Sequence, residues 1–120
     1  MKIFLAISAV LAWVFGAALL FATPAFLAPM GIDVTPAIAV SGQAQGAILI
    51  GLGVINWIAR QMPSHQLKAV LMGNLAVQLL SLLVIARALV LHAIPAQNIG
   101  AVAVHTLLGA GFLYFLWRAA

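Results

Sequence analysis

The sequence predicts an all-α integral membrane protein, built as an antiparallel bundle of four transmembrane helices. The chain has 120 residues, of which five are Lys or Arg, one is acidic and 67% are hydrophobic. Its mean hydropathy is +1.27. A globule of this size leaves much of its surface exposed, and so few charged residues cannot cover that surface in water. We therefore expect lipid as the surrounding solvent, with a single transmembrane domain over residues 1–120.

Four apolar stretches account for nearly the whole chain, and each is close to the roughly 20 residues that cross the bilayer core as a helix. Thr23 and Pro24 end the first stretch, the polar run 60–66 separates the second from the third, and Pro95 precedes the fourth. We therefore predict helices over about residues 3–21, 44–59, 67–91 and 99–117. The first apolar run is longer than the roughly 7–15 residues of a signal-peptide core, so we expect it to be retained as a helix.

The positions of the cations predict the orientation. The short segments on one side carry Lys2, Arg60, Lys68 and Arg118. The loops around Asp33 and Pro95, on the other side, contain no Lys or Arg. By the positive-inside rule both termini are expected in the cytoplasm. The net charge of +4 then indicates contact with anionic lipids on the cytoplasmic side, and no nucleic acid is expected as a partner.

Arg87 lies inside the third predicted helix, roughly 29 Å along it from Lys68 and therefore near the outer interface. From that depth its long side chain can reach the lipid headgroups. Asp33 is the only acidic residue of the chain and lies in a loop on the same side. Two interpretations stay open, an Arg87–Asp33 ion pair, or an Arg87 on lipid phosphate beside a solvated Asp33.

Polar side chains within the apolar helices are the main candidates for function, because hydrocarbon offers them no water to bond. They fall on one face of the second, third and fourth helices, at three- and four-residue spacing. These candidates are Asn56, Asn74, Gln78 and His105. Such residues often bond neighbouring helices, which is the first interpretation. The second is that they line a path for a ligand.

Small residues share these faces and allow the backbone of a neighbouring helix to approach closely. The predicted helix-packing seam consists of Gly42, Gly46, Gly53 and Gly109. Trp13 is expected at a similar depth to Gly53, and we interpret it as part of the packing.

His105 has the widest range of chemistry open to it, since an imidazole can relay a proton, ligate a metal or bind a quinone carbonyl. His92 is near the outer end of the third helix and is poorly matched to His105 for a bis-histidine haem site. We therefore favour a hydrogen-bonded structural role for His105 and expect no cofactor and no metal.

The residue inventory also argues against an enzyme. Cys is absent, which excludes disulfides and thiol chemistry. The sequence has no carboxylate within its predicted helices, no Ser-His-Asp set, no zinc-ligand spacing and no phosphate-binding loop. We expect no catalytic residues.

The run 41–60, SGQAQGAILIGLGVINWIAR, resembles the second-helix pattern of small bacterial membrane proteins of the broad DoxX-like kind. The preceding Pro24, Pro29, Met30 and Gly31 resemble the loop that often comes before that helix. The resemblance implies four transmembrane helices in a bacterial inner membrane, and it transfers no functional residues. The first helix lacks the charged pattern of the redox-associated members.

Two classes of function follow from these observations. The first is a non-enzymatic small membrane protein that acts through contacts, as an accessory or assembly subunit. The second is a small transporter or channel with a polar path lined by Asn56, Asn74, Gln78 and His105. The wide lipid-facing surface of a four-helix unit is compatible with a homo-oligomer or a larger membrane complex.

Overall fold

The computed structural model describes residues 1–118, and within that range every regular element is helical. Four long helices follow one another and are joined by turns that contain short 3₁₀ segments. They are α1 (Lys2–Leu27), α2 (Pro36–Ala59), α3 (Lys68–Val90) and α4 (Ile99–Arg118). Each of the four is long and apolar enough to cross a membrane. The predicted all-α class with four helices of this kind is confirmed at that level.

The chain divides into two compact units, Met1–Gln61 and Met62–Ala120. The first unit is a hairpin of α1 and α2, and the second is a hairpin of α3 and α4. In the first hairpin Gly16 lies against Gly46, while Thr23, further along α1, lies against Gly42, earlier in α2. The two helices of that hairpin are therefore antiparallel.

Helix α1 continues past the predicted end at residue 21, with a kink. Ala22 has φ −139° and ψ 35°, two residues before Pro24. Proline has no N–H, and its ring crowds the carbonyl four residues earlier, which bends a helix at this point. The hydroxyl of Thr23 donates to the carbonyl of Leu19 and so bonds a backbone oxygen in the kinked turn. Pro24 was expected to end the helix, and it bends the helix instead.

Helix α2 begins at Pro36, well before the predicted start at residue 44. The hydroxyl of Thr35 accepts a hydrogen bond from the N–H of Ile38 at 3.3 Å and caps the helix. Pro36 suits the first helical position, where no N–H is needed and φ is already helical. Hydropathy alone did not locate this start, because the first turns of α2 include polar residues that carry no apolar signal.

Both hairpin turns begin with the same backbone motif. Gly31 has φ 71°, and the N–H of the residue after it bonds the carbonyl of Leu27 at 3.4 Å. His92 has φ 52°, and the N–H of the residue after it bonds the carbonyl of Ala88 at 2.8 Å. A left-handed residue followed by such a bond is the Schellman motif that ends many helices. Glycine adopts this conformation freely, whereas His92 adopts it at a cost.

The outward faces of all four helices carry large apolar side chains. Each of the following is more than half exposed: Ile3, Phe21, Ile48, Leu80 and Leu107. The apolar residues that are buried include Leu5, Ala9, Ala12 and Ala59 in the first unit and Leu67, Leu71 and Phe112 in the second. In water the exposed apolar area would favour aggregation, whereas in a bilayer it is in contact with hydrocarbon.

Candidate functional site: polar and small residues of the two hairpins

In the first hairpin the backbones of the two helices lie close together where two glycines face each other. A Cβ placed on Gly46 would lie 2.6 Å from the carbonyl oxygen of Gly16 and 2.6 Å from the backbone nitrogen of Leu20. Both atoms belong to the backbone of α1, so neither can move aside as a flexible side chain does. Gly46 is therefore a point at which the backbones of α1 and α2 are in close contact.

Two other members of the predicted seam lie on the same face of α2. A Cβ on Gly42 would lie 2.6 Å from Cγ2 of Thr23, and a Cβ on Gly53 would lie 2.5 Å from the indole ring of Trp13. Thr23 is buried, at 2% exposure, although the sequence identified it only as part of a helix-breaking stretch. The missed signal is its spacing, because Thr23 follows Gly16 by seven residues, two helical turns.

Asn56 follows Gly53 on α2 and is almost fully buried, at 1% exposure. It lies on the face of α2 that also carries Gly46, Gly53 and Ala59 as buried residues. Asn74 is buried on α3, and its side-chain N–H donates to the carbonyl of Val70 at 2.9 Å. Asn56 and Asn74 belong to different units, and the idea that they bond each other stays a prediction.

The second hairpin contains a polar contact between its two helices. Nδ1 of His105, on α4, lies 2.6 Å from Oε1 of Gln78, on α3. Gln78 is 5% exposed, and a Cβ on Gly109 would lie 3.4 Å from the Cβ of Gln78. The structure thus brings together two of the four polar candidates and places Gly109 beside them. An amide oxygen only accepts hydrogen bonds, so this contact requires the proton on Nδ1 and leaves the Nε2 lone pair of a neutral His105 as an acceptor.

Arg60 ends α2 and lies on an aromatic side chain. Its guanidinium carbon is 3.6 Å from the ring centroid of Trp57, and that ring is 5.3 Å from the ring of Trp13. Nε of Arg60 is shielded from solvent and has no hydrogen-bond partner within residues 1–118. The sequence analysis placed Arg60 in a short segment on one side of the membrane, but it did not predict the stack on Trp57. The i, i+3 spacing of the two residues on a helix was the signal for it.

The two residues of the predicted outer ion pair lie in turns or next to them. Asp33 is exposed in the segment between Gly31 and Thr35, and Arg87 is in the last turn of α3. Arg87 lines a groove of about 330 Å³ together with Leu83, Val84, Ala88, Leu91 and Ala93. Since Asp33 and Arg87 belong to different units, their ion pair stays a prediction.

Within residues 1–118 no group of three or more His, Cys, Asp or Glu side chains is placed to hold a metal ion. The arrangement instead provides hydrogen bonds within each hairpin, one imidazole with an acceptor nitrogen, and one guanidinium stacked on an indole. No protein-family model, no curated protein and no solved structure matches this chain. The resemblance of residues 41–60 to DoxX-like second helices therefore stays a prediction.

Proposed function

We propose that this chain is a non-enzymatic integral membrane protein that acts through helix contacts, as an accessory or assembly subunit. The supporting observation is the set of hydrogen bonds that its polar side chains form. Ser8, Thr23 and Asn74 bond carbonyls of their own helices, and Gln78 bonds His105. Polar groups bonded in this way stabilise helices, while the outer faces stay apolar and are available to lipid or to the helices of another protein.

In this proposal the four helices form an antiparallel bundle in a bacterial inner membrane, with both termini in the cytoplasm. Lys2 and Arg60 share one end of the first hairpin, as Lys68 and Arg118 share one end of the second. The excess of cations at these ends supports this orientation by the positive-inside rule, although Arg87 lies at the other end of the second hairpin, in the last turn of α3. The resemblance of residues 41–60 to DoxX-like second helices supports the bacterial membrane. A homo-oligomer or a larger membrane complex is the form in which such a subunit would act.

The proposal is tested by photo-crosslinking in living cells. A photoreactive amino acid replaces one exposed apolar residue on each helix in turn, at Val10, Ile55, Leu80 and Leu107. We expect one face to give a discrete protein adduct that also purifies with the chain at fixed stoichiometry. The other faces, which contact only lipid, are the internal controls. Lipid adducts alone from all four positions would contradict a contact function.

The alternative is a small transporter or channel, and the Gln78–His105 contact favours it because two buried or half-buried polar groups meet inside an apolar hairpin. The test is proton and potassium flux into liposomes that contain the purified protein. Transport through a path at Gln78 predicts that Gln78→Leu abolishes the flux, whereas the neighbouring Leu79→Ala preserves it. The contact function predicts no flux above empty liposomes for any of these proteins.

A further inference from the structure

Arg60 lies on an indole ring at the end of α2. Its guanidinium carbon is 3.6 Å from the centroid of the Trp57 ring, and Trp57 is itself packed 5.3 Å from Trp13. A guanidinium stacked on an indole is attracted by the ring, and its N–H groups lie in its own plane, so those at its exposed end can still form hydrogen bonds. The stack therefore presents a planar set of donors at one end of the first hairpin.

This cation has no protein anion to neutralise it within its own unit. Asp33 is the only acidic residue of the chain, and it lies in the turn at the other end of the first hairpin. Nε of Arg60 is shielded from solvent without a hydrogen-bond partner in residues 1–118. The guanidinium is otherwise partly exposed, and a lipid anion can reach only this exposed part. Since Asp33 is at the other end of the hairpin, an anion that pairs with Arg60 has to come from outside this unit.

We propose that Arg60, oriented by Trp57, binds the phosphate group of an anionic phospholipid at the end of the first hairpin where Lys2 also lies. Phosphate oxygens match the planar fork of a guanidinium and accept two parallel hydrogen bonds from it. Lys2 supplies a second positive charge at this end of the hairpin. The exposed part of Trp57 is an apolar surface for the glycerol and upper acyl chains, which favours a lipid over a free phosphate as the source of the anion.

Arg118 provides a matched control within the same chain. Its Nη1 donates to the hydroxyl of Tyr114 at 3.0 Å, and its guanidinium lies 5.8 Å from the Tyr114 ring. The neighbouring Trp117 is 75% exposed. The two positions thus pair an Arg with a nearby Trp, but only at Arg60 does the Arg lie on the Trp ring.

The test is native mass spectrometry of the full chain, titrated with phosphatidylglycerol or with phosphatidylcholine. We expect wild-type protein to bind phosphatidylglycerol in preference, and Arg60→Lys to bind it about tenfold more weakly, because Lys keeps the charge but loses the fork and the stack. Trp57→Leu should weaken binding about fivefold. Arg118→Lys and Trp117→Leu should leave it unchanged. Helix content is measured for each variant, and Arg60→Gln is used if Arg60→Lys does not fold.

Equal phosphatidylglycerol binding by wild-type protein and by folded Arg60 variants would overturn the proposal. Displacement of the lipid by millimolar inorganic phosphate would assign the same donors to a soluble phosphate and would also overturn the lipid assignment. The proposal depends on the membrane placement argued above, and not on a protein partner. Resistance of the chain to alkaline extraction from membranes is measured in parallel, so that a failure of membrane placement is seen separately from a loss of lipid binding.

Discussion

Gln78 and His105 form a single side-chain hydrogen bond between two largely apolar helices, with 2.6 Å between Nδ1 and Oε1. In hydrocarbon neither group can turn to water when the partner is removed, so each depends on the other. Comparable contacts in membrane proteins contribute about 0.6 kcal/mol on average and about 1.7 kcal/mol at most. We therefore expect this hydrogen bond to contribute no more than about 1.7 kcal/mol to the free energy of unfolding. This contribution can be measured without knowing the function of the protein.

A double-mutant cycle measures this role. Gln78→Leu and His105→Leu are each expected to lower the free energy of unfolding, while the double variant loses less than the sum. The expected coupling is about 1 kcal/mol. The measurement is unfolding by titration with SDS in mixed micelles. Val77→Ala with His105→Leu is the control pair, and its coupling should be zero. A zero coupling for Gln78 and His105 would contradict the contact.

The backbone conformation of His92 also predicts the effect of a substitution. At φ 52° it has the left-handed conformation that the Schellman motif requires and that glycine adopts without strain. His92→Gly is expected to raise the free energy of unfolding by about 1 kcal/mol, measured in the same mixed micelles. His65→Gly, in a 3₁₀ segment without positive φ, is the control and should be neutral or destabilising. A loss of stability in His92→Gly would show that the imidazole itself stabilises the turn.

At the scale of helices, the glycines of α2 differ in what they face. Gly46 meets the backbone of α1, while Gly51, on the same helix, has no heavy atom within 4 Å of the position its Cβ would take. An added methyl group has no room at the first position and open space at the second. The seam between α1 and α2 is therefore specific to one face, as expected for packing through small residues.

This difference predicts opposite effects for two chemically identical substitutions. Gly46→Ala is expected to lower the free energy of unfolding by about 1–3 kcal/mol, because the helices must move apart. Gly51→Ala is expected to be neutral or to raise it by up to about 1 kcal/mol through helix propensity. SDS unfolding in mixed micelles measures both. Equal effects of the two substitutions would refute the assigned face of α2.

At the scale of the whole molecule, the positions of the cations are the basis of the orientation that we propose. The turn after α1 and the turn after α3 contain no Lys or Arg between residues 28–35 and 91–98. The segment between α2 and α3 is flanked by Arg60 and Lys68. Short loops that carry Lys or Arg are disfavoured in translocation. The turns after α1 and after α3 should therefore lie outside, and the segment between α2 and α3 inside.

Cysteine labelling tests this orientation on a background free of native cysteine. In intact cells we expect a membrane-impermeant thiol reagent to label Val34→Cys and Ala93→Cys but not Ser64→Cys. Permeabilised cells should show labelling of all three, which controls for reactivity. Labelling of Ser64→Cys alone in intact cells would reverse the orientation, and labelling of all three would exclude membrane placement of the hairpins.

The four helices were predictable because hydropathy is a local property of the chain, and four apolar stretches separated by Pro and polar residues leave few alternatives. The helix ends were less predictable. Pro24 bends α1 rather than ending it, and the Thr35 cap begins α2 before the apolar run does. Both depend on backbone geometry in a few residues, to which a hydropathy window is insensitive.

For the candidate residues, too, one part was predictable from the sequence and another part was not. Periodicity alone selected Gly46, Gly53, Gln78 and His105, because residues three and four apart share a helix face whatever that face meets. Only the tertiary structure decided that Gly46 faces Gly16, that Gln78 bonds His105 and that Arg60 lies on Trp57. The sequence by itself determined the number of helices and their apolar character, since both are sums over neighbouring residues. The partners of each residue depend on how two helices approach and on which rotamers then fit, and neither property is local in the sequence.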